Sequence, residues 1–430
     1  MSTEAPRVGP VSLTERIQFI DVLRGMALFG ILTANMRAFS APLDAYDSIS
    51  ALFHSHADIL AQAFVNFFFQ GKFVSIFSFM FGMGFAIQLS RAEARGAKFL
   101  SFYPRRLLAL AVFGLIHGIL IWSGDILLTY ALSGAILLLF RNRKQKTLLW
   151  WAGGLISFSL VLQAVFILIY YFAPHRPHFL DFTPPDMPKL YGIINIYAHG
   201  TVRQILHQNW VEWKGALPGE LFALYALSLF LLGMWVWRSG IVQNLPSYRP
   251  VFKKVCAWCL PIGFLMNGFY AYENAVVPPD KITFAAILAS MFHLLGAHIL
   301  AAGYICGVAL IYLNANLRRF VTPFAAVGRM ALTDYLMQSV LCTLFFYHYT
   351  TGLFGRWGPA IDLIPTVLLF SAQVVFSNWW LCHFRFGPME WLWRGLTYGK
   401  FPSMRKGEPE FGIDALPGDA ASPVAASAPE

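Results

Sequence analysis

Ten apolar stretches separated by short polar segments constrain the fold of this chain most strongly. Their ranges are 17–39, 72–90, 107–124, 126–140, 147–172, 220–237, 251–272, 281–313, 323–347 and 360–383. About 20 consecutive apolar residues cross the hydrocarbon core of a bilayer as a helix. Only 13% of the residues are charged, whereas a soluble domain carries about 25%. The sequence therefore predicts an all-α fold: a polytopic membrane helix bundle with about ten transmembrane helices.

The Lys and Arg residues between the apolar stretches predict the orientation. If the N-terminus is cytoplasmic, the inner segments contain 22 of these residues and the outer segments contain 7. Basic residues accumulate in cytoplasmic loops, so we expect both termini inside (N-in/C-in). The basic residues are scattered over short loops, which favours contact with anionic membrane lipid and argues against nucleic acid as a partner.

One long outside loop divides the chain. The predicted units are a cytoplasmic N-terminal segment (1–16), an N-terminal five-helix half (17–173), an outside loop with an interfacial helix (174–218), a C-terminal five-helix half (219–400) and a disordered cytoplasmic tail (401–430). The aromatic and polar residues of the long loop predict its helix over 190–210. A shorter outside segment ends in an amphipathic stretch, 60–70.

The first apolar stretch carries Asp21, Arg24 and Asn35. At about 100° per residue, Asp21 and Arg24 lie about 60° apart and Arg24 and Asn35 about 20° apart around the helix axis. The three residues thus form one polar stripe. Because ionisable groups inside a membrane are costly, such a stripe predicts a substrate-binding surface. The alternative is an Asp–Arg ion pair that only anchors the inner end of the helix.

His117 lies near the middle of the third stretch, and Asp125 lies in the turn that follows it. A histidine oriented by a carboxylate is what general-base or nucleophilic catalysis requires, so both residues are catalytic candidates. The alternative for His117 is one structural hydrogen bond between helices. Eight residues are too long a separation for direct contact on one straight helix, so we expect water or another helix to link the pair.

Further polar residues in the apolar stretches are candidates for substrate binding. Lys72 begins the second stretch, where the alternative is a side chain that reaches the interface. Arg329, Asp334 and Gln338 occur in the ninth, and Asp334 and Gln338 share a helix face. The Asp334 carboxylate calls for a cation, which Arg329 or Arg24 would supply. Near the end of the chain, the i, i+4 pair Glu390 and Arg394 predicts a short interfacial helix. No metal-ligand spacing appears, so we expect no metal.

Several short motifs carry a resemblance to a known family. They are Asp21-x-x-Arg24-Gly25 followed by Asn35, FSFMFGMG at 77–84, Arg105-Arg106, GLIHG at 114–118, GDIL at 124–127, GRMALT at 328–333 with Tyr335, and Gly387-Pro388-x-Glu390-Trp391. In combination, the chain resembles the YeiB-like family of bacterial integral membrane proteins, whose C-terminal part is a domain of unknown function numbered 418. The chain departs from this family at Asp334, where the family more often carries Asn. The resemblance implies a multi-pass protein of the bacterial cytoplasmic (inner) membrane.

The N-terminal motif is also similar to that of heparan-alpha-glucosaminide N-acetyltransferase and of the wider transmembrane acyltransferases. That likeness implies acyl-CoA as a cytoplasmic donor and a small or sugar-like acceptor on the outer side. It also implies that Arg105 and Arg106 hold the CoA phosphates.

Three hypotheses about function follow. The first is a transmembrane acyltransferase in which His117 is the base or the acyl carrier and Asp125 lies near the acceptor. The second is a transporter or exporter of a small metabolite or a lipid-linked molecule, for which the same polar residues line the path. The third is a scaffold or assembly partner, which would leave the polar residues of the spans without a chemical role.

Overall fold

The structure is a computed structural model that describes residues 17–42, 52–172, 187–216, 221–277 and 283–406. The predicted segment 1–16 and the tail from residue 407 onward lie outside the described residues, as do 173–186 and 217–220 around the long loop. Within the described ranges the chain is helical, with one isolated bridge between Phe384 and Arg405 and no strand. The predicted all-α fold is confirmed.

Sixteen α-helices form the described structure. They are α1 (Gln18–Ser40), α2 (His56–Phe68), α3 (Lys72–Ala94), α4 (Tyr103–Ile116), α5 (Leu127–Leu137), α6 (Gln145–Phe172), α7 (Met187–His199), α8 (Val202–Ala216), α9 (Leu221–Arg238), α10 (Arg249–Val276), α11 (Phe284–Tyr312), α12 (Ala315–Val321), α13 (Phe324–Arg329), α14 (Ala331–Phe346), α15 (Pro359–His383) and α16 (Pro388–Tyr398). A π-helical turn, His117–Ile121, continues α4.

Helices occupy all ten predicted apolar stretches. Seven helical segments of the described chain are long and apolar enough to cross a membrane. They are α1, α2 with α3, α4 with its π turn, α6, α10, α11 and α15. Three shorter apolar helices, α5, α9 and α14, occupy the remaining predicted stretches. The chain is therefore a helical membrane protein, while the number of crossings and the N-in/C-in orientation stay predictions.

The helix boundaries differ from the predicted ones in two outer segments. Residues 60–68 of the predicted stretch 60–70 belong to α2, which packs against α10 and α15. The loop helix expected over 190–210 is two helices, because the chain breaks at Gly200. Thr201 then caps α8, and its backbone N–H in turn donates to the Gln204 side chain (2.8 Å). This Thr-x-x-Gln capping box starts a new helix.

Glycines hold the two predicted five-helix halves together. The backbones of α1 and α13 cross at Gly25 and Gly328, where an added Cβ would overlap the Phe324 or Asp21 carbonyl oxygen respectively. Likewise, α3 and α9 cross at Gly82 and Gly233. Small residues allow such close approach between membrane helices. The first half of the chain therefore packs directly on the second, and α1 lies in the centre, against α3, α13, α14 and α15.

Replacing Gly25 with Val should destabilise the protein strongly, because the backbone of α13 cannot move away without separating the two halves. We expect a loss above the 1–3 kcal/mol typical of overpacking, seen as a lower thermal midpoint in detergent. Gly154→Ala is the control, since nothing lies within 4 Å of a Cβ at that position. Equal midpoints for the two variants would contradict the close crossing.

Candidate active site

His117 and Asp125 contact each other directly. The Nδ1 atom of His117 lies 2.9 Å from the Oδ1 atom of Asp125, and both side chains are 0% exposed. The expectation that water or another helix would link them was wrong because α4 is not a straight helix. After its π turn, Trp122 adopts an extended conformation (φ −155°, ψ 128°). The chain then reverses and returns Asp125 to His117, and π turns of this kind often mark functional sites.

Both carboxylate oxygens of Asp125 are engaged. Oδ2 accepts a hydrogen bond from the backbone N–H of Leu128 (2.9 Å) in the first turn of α5, while Oδ1 faces His117. Gly114 makes room for this turn, since a Cβ there would overlap the Leu128 nitrogen. An ionised carboxylate only accepts, so Nδ1 of His117 carries the proton in the neutral ring. Nε2 then holds a lone pair, and it is buried without a hydrogen-bond partner in the described structure.

Aromatic side chains and the outer helix α8 enclose this pair. The Tyr335 ring centroid lies 5.2 Å from that of His117, and the Trp122 centroid lies 6.2 Å away. The helix α8, from the predicted outside loop, packs over the π turn. Asn209 of α8 donates to the Ile121 carbonyl oxygen (3.4 Å), and the Trp213 ring fills the space beside Gly118. The imidazole is thus shielded from water on several sides.

A cavity of about 260 Å³ lies inside the bundle next to the pair. Tyr335, Ile126 and Leu127 form part of its wall. His117 lies outside the lining itself, whereas Tyr335, whose ring packs against the imidazole, belongs to it. Tyr335 therefore connects the wall of the cavity with the imidazole.

The remainder of the cavity wall is rich in arginine. Its five arginines are Arg24, Arg91, Arg106, Arg329 and Arg394. Two carboxylates, Asp21 and Glu390, also line it. Asp21 pairs with Arg24 (3.0 Å). The wall therefore carries more positive than negative charge, and guanidinium groups suit phosphate, which they bind through paired hydrogen bonds.

Glu390 has a structural role that the sequence pattern did not indicate. Its carboxylate accepts hydrogen bonds from the backbone N–H of Leu332 (2.6 Å) and of Thr333 (3.2 Å) and from the Thr333 hydroxyl (2.6 Å). It thereby caps α14, whose own N-cap residue, Met330, makes no side-chain cap. The sequence predicts Glu390 and Arg394 as an i, i+4 pair on a short helix, and both residues lie on α16. Burial raises the pKa of Glu390.

The structure separates the two arginines predicted to bind a donor. Arg106 lines the cavity, and its guanidinium lies 3.4 Å from the ring centroid of Trp393. Arg105 is exposed and lies outside the cavity lining. Successive side chains of a helix point about 100° apart. Of two adjacent arginines, one can therefore face the inside of the bundle while the other is exposed.

Three of the other candidates, Asp21, Arg24 and Arg329, line the cavity as a binding role would require. Asn35 is half-buried on α1 and lies beyond the lining, so the predicted stripe reaches the cavity only at its inner end. Lys72 is buried away from the cavity, against Asn66.

Asp334 and Gln338 lie at the interface between α14 and α15. The prediction that a cation pairs with Asp334 was wrong, because the Oδ2 atom of Asp334 accepts a hydrogen bond from the Ser377 hydroxyl (2.9 Å). Gln338 donates to the Gln373 side chain (2.8 Å), which in turn donates to the Asp334 carbonyl oxygen (2.9 Å). This network joins two helices and lies outside the cavity lining. Among the residues described, no group of three His, Cys, Asp or Glu side chains could hold a metal ion.

The apolar helices and the polar groups buried among them define a polytopic helical membrane protein. The chain is 37% identical over 406 residues to the uncharacterized protein YxaH of Bacillus subtilis (strain 168), covering 90% of this chain and 96% of YxaH. It is 32% identical over 397 residues to the uncharacterized protein YeiB of Escherichia coli (strain K12), covering 89% and 96%. The family described as "Protein of unknown function (DUF418)" matches residues 236–400. The chain belongs to this YeiB-like DUF418 family, which confirms the resemblance seen in its motifs.

Removing the Glu390 cap should lower the stability of the protein. In Glu390→Ala, two backbone N–H groups of α14 and the Thr333 hydroxyl lose their buried acceptor, and loss of a helix cap costs about 0.5–2 kcal/mol. The thermal midpoint in detergent should fall accordingly. Glu93→Ala, at an exposed carboxylate, should leave it unchanged. A midpoint unaffected by Glu390→Ala would rule out the capping role.

Proposed function

We propose that this protein is a transmembrane acyltransferase. It takes an acyl group from cytoplasmic acyl-CoA and delivers it to a hydroxyl or amine of an acceptor on the outer side of the bacterial cytoplasmic membrane. One observation carries the proposal: the buried His117–Asp125 pair leaves the Nε2 atom of His117 without a hydrogen bond in the described structure, next to a cavity lined by arginines.

Donor binding in the proposal uses the charge of the cavity wall. The CoA phosphates bind where Arg91, Arg106 and Arg394 approach the cavity, because guanidinium groups form charge-assisted hydrogen bonds with phosphate. These arginines lie on α3, α4 and α16, at the end of the bundle that the Lys and Arg distribution assigns to the cytoplasm. The acyl thioester then extends towards Tyr335 and His117.

The chemistry in the proposal requires a neutral imidazole with a free Nε2. As a base, Nε2 takes the proton of the acceptor hydroxyl while its oxygen attacks the thioester carbonyl carbon. The carbon–sulfur bond breaks, and the departing CoA sulfur receives the proton. As an acyl carrier, Nε2 attacks the carbonyl carbon, the carbon–sulfur bond breaks and CoA leaves as its thiolate. The acceptor hydroxyl then attacks the acyl-imidazole, the bond from the acyl carbon to Nε2 breaks to regenerate His117, and the acceptor's proton passes to the CoA thiolate. In both routes Asp125 orients the ring and stabilises its positively charged form.

His117→Ala should abolish transfer from acetyl-CoA labelled on its acetyl carbon. We expect at least the roughly 10²–10⁴-fold loss that follows removal of a general base, measured as label in lipid- or sugar-bound product after incubation with purified protein and membrane extract. His383→Ala is the control, since His383 is an exposed residue at the end of α15. Label bound to the wild-type protein and absent from His117→Ala would indicate the carrier route.

The same experiment separates the proposal from the transport hypothesis. Failure to transfer label and to bind CoA, with both short and long acyl donors, would exclude the acyltransferase. A vesicle flux assay without acyl-CoA would then test transport through the cavity, with loss of flux in His117→Ala as its expected result.

Arg106→Gln should weaken CoA binding more than Arg105→Gln, because only Arg106 lines the cavity. A hydrogen bond to a charged group contributes about 1.5–3 kcal/mol, so we expect a loss of about tenfold or more in affinity, measured by calorimetry at low salt. Arg105→Gln is the matched control, because it changes the net charge of the protein by the same amount. Equal effects of the two substitutions would place the phosphates outside the cavity.

A further inference from the structure

A second group of buried polar side chains lies between α3, α9, α10 and α11, outside the cavity lining. Its basic members are Lys72, His293 and His298, and we call these three residues the Lys72 cluster. It shares no residue with the cavity that contains the five arginines. The proposal for this cluster does not depend on acyl transfer.

Lys72 is a buried amine with few carboxylates on the helices around it. The residue is 0% exposed, and its Nζ donates to the Asn66 carbonyl oxygen (2.6 Å). No carboxylate in the described chain forms an ion pair with it. The sequences of α9 and α11 contain no Asp or Glu, and α3 contains only Glu93, at its opposite end. α10 contributes one buried carboxylate, Glu273, three residues after Tyr270. A buried charge normally has a partner.

Two histidines of α11 present unbonded nitrogens in the same region. His293 stacks on Tyr270 (ring centroids 4.1 Å apart) and lies against the start of α3, since a Cβ on Gly71 would be 3.3 Å from its Nε2. Its Nδ1 is buried without a partner in the described ranges. In His298, Nδ1 bonds the Leu294 carbonyl oxygen (2.7 Å), whereas Nε2 is likewise buried and unbonded.

A ring contact with Tyr225, which itself hydrogen-bonds Ser75, holds the second histidine in place. The Tyr225 ring of α9 lies 4.1 Å from that of His298, and the Tyr225 hydroxyl hydrogen-bonds the Ser75 hydroxyl, one turn beyond Lys72 on α3. The two imidazoles therefore belong to the same packed layer as Lys72. A merely structural Lys72 would cap the C-terminal end of α2 through Asn66. That role accounts for one hydrogen bond of the ammonium and leaves both imidazole nitrogens unexplained.

We propose that Lys72, His293 and His298 form a binding site for an oxyanion. The ammonium supplies the charge. The unbonded nitrogen of an imidazole whose other nitrogen donates becomes a donor only when the ring is protonated, so binding of the anion is coupled to uptake of a proton. A phospholipid headgroup and a soluble anion such as phosphate or acetate share this chemistry. The site is distinct from the arginine-lined cavity, which takes a ligand from the other end of α3.

Thermal unfolding of the purified full chain in neutral detergent tests this site. Inorganic phosphate and acetate are titrated against chloride at constant ionic strength, and phosphatidylglycerol is compared with phosphatidylcholine. In the wild type we expect a saturable rise in the thermal midpoint, because a ligand that binds only the folded state stabilises it. A rise with the soluble anions identifies a free anion as sufficient, and a rise with phosphatidylglycerol alone identifies the lipid headgroup.

Two substitutions locate the effect. Both substitutions are made in an Arg106→Gln background, which weakens phosphate binding in the arginine-lined cavity. Lys72→Gln retains an amide donor for Asn66 but removes the charge, so the rise that remains in this background should disappear. His293→Gln should shift the titration to about tenfold higher anion concentration, the loss expected for one hydrogen bond to a charged group. Lys400→Gln, outside the cluster, and His117→Ala, in the proposed catalytic pair, should both keep the full rise.

Two results would overturn the site. One is an equal rise in the wild type, Lys72→Gln and His293→Gln, which means that the anions act elsewhere. The other is no rise with any anion in the wild type, which leaves Lys72 as a cap of α2. If Lys72→Gln does not fold, His293→Gln decides between the outcomes. Because acyl-CoA is absent throughout, these results are independent of the acyl-transfer experiment.

Discussion

The apolar solvent around the bundle governs the placement of its polar groups. Lipid offers no hydrogen-bond partners, so polar groups inside the spans must find partners in the protein. Asp362 near the start of α15 illustrates this, since it binds both the Arg37 guanidinium (3.3 Å) and the Ser40 hydroxyl (2.6 Å) of α1. Asp334 meets Ser377 in the same way across α14 and α15. These contacts tie helices that are distant in the chain.

Because most buried polar groups of the bundle have partners, buried imidazole nitrogens without a hydrogen bond are exceptions. The Nε2 atom of His117 is one, held by Asp125 in an orientation that leaves its lone pair unused by the described protein. The unbonded nitrogens of His293 and His298 near Lys72 are others. Such groups persist where a ligand or a reaction uses them. The two proposed sites rest on this shared feature and differ in charge: one adjoins five arginines, and the other contains a single lysine.

Glycine makes the arrangement possible because it allows helix backbones to meet. At Gly25 and Gly328, α1 and α13 touch with no side chain between them. This contact brings Arg24 to the Gly328 carbonyl oxygen (3.2 Å), at the wall of the cavity. Gly114 has a comparable role at the proposed catalytic pair, where it admits the turn that carries Asp125. The geometry of both the cavity and the pair therefore depends on residues without side chains.

The sequence by itself determined the all-α membrane fold, the positions of the ten apolar helices and the identity of His117, Asp125 and Arg106 as candidates. Hydropathy and residue type act locally, so a single chain reveals them. The tertiary structure alone decided which candidates meet. After the π turn that follows α4, the chain reverses and brings Asp125 into direct contact with His117. Helical periodicity in the sequence does not predict this reversal. The packing of α15 on α14 gives Asp334 a serine partner where the sequence suggested an arginine. Contacts of this kind depend on how distant helices pack, and the local pattern of residues does not encode that packing.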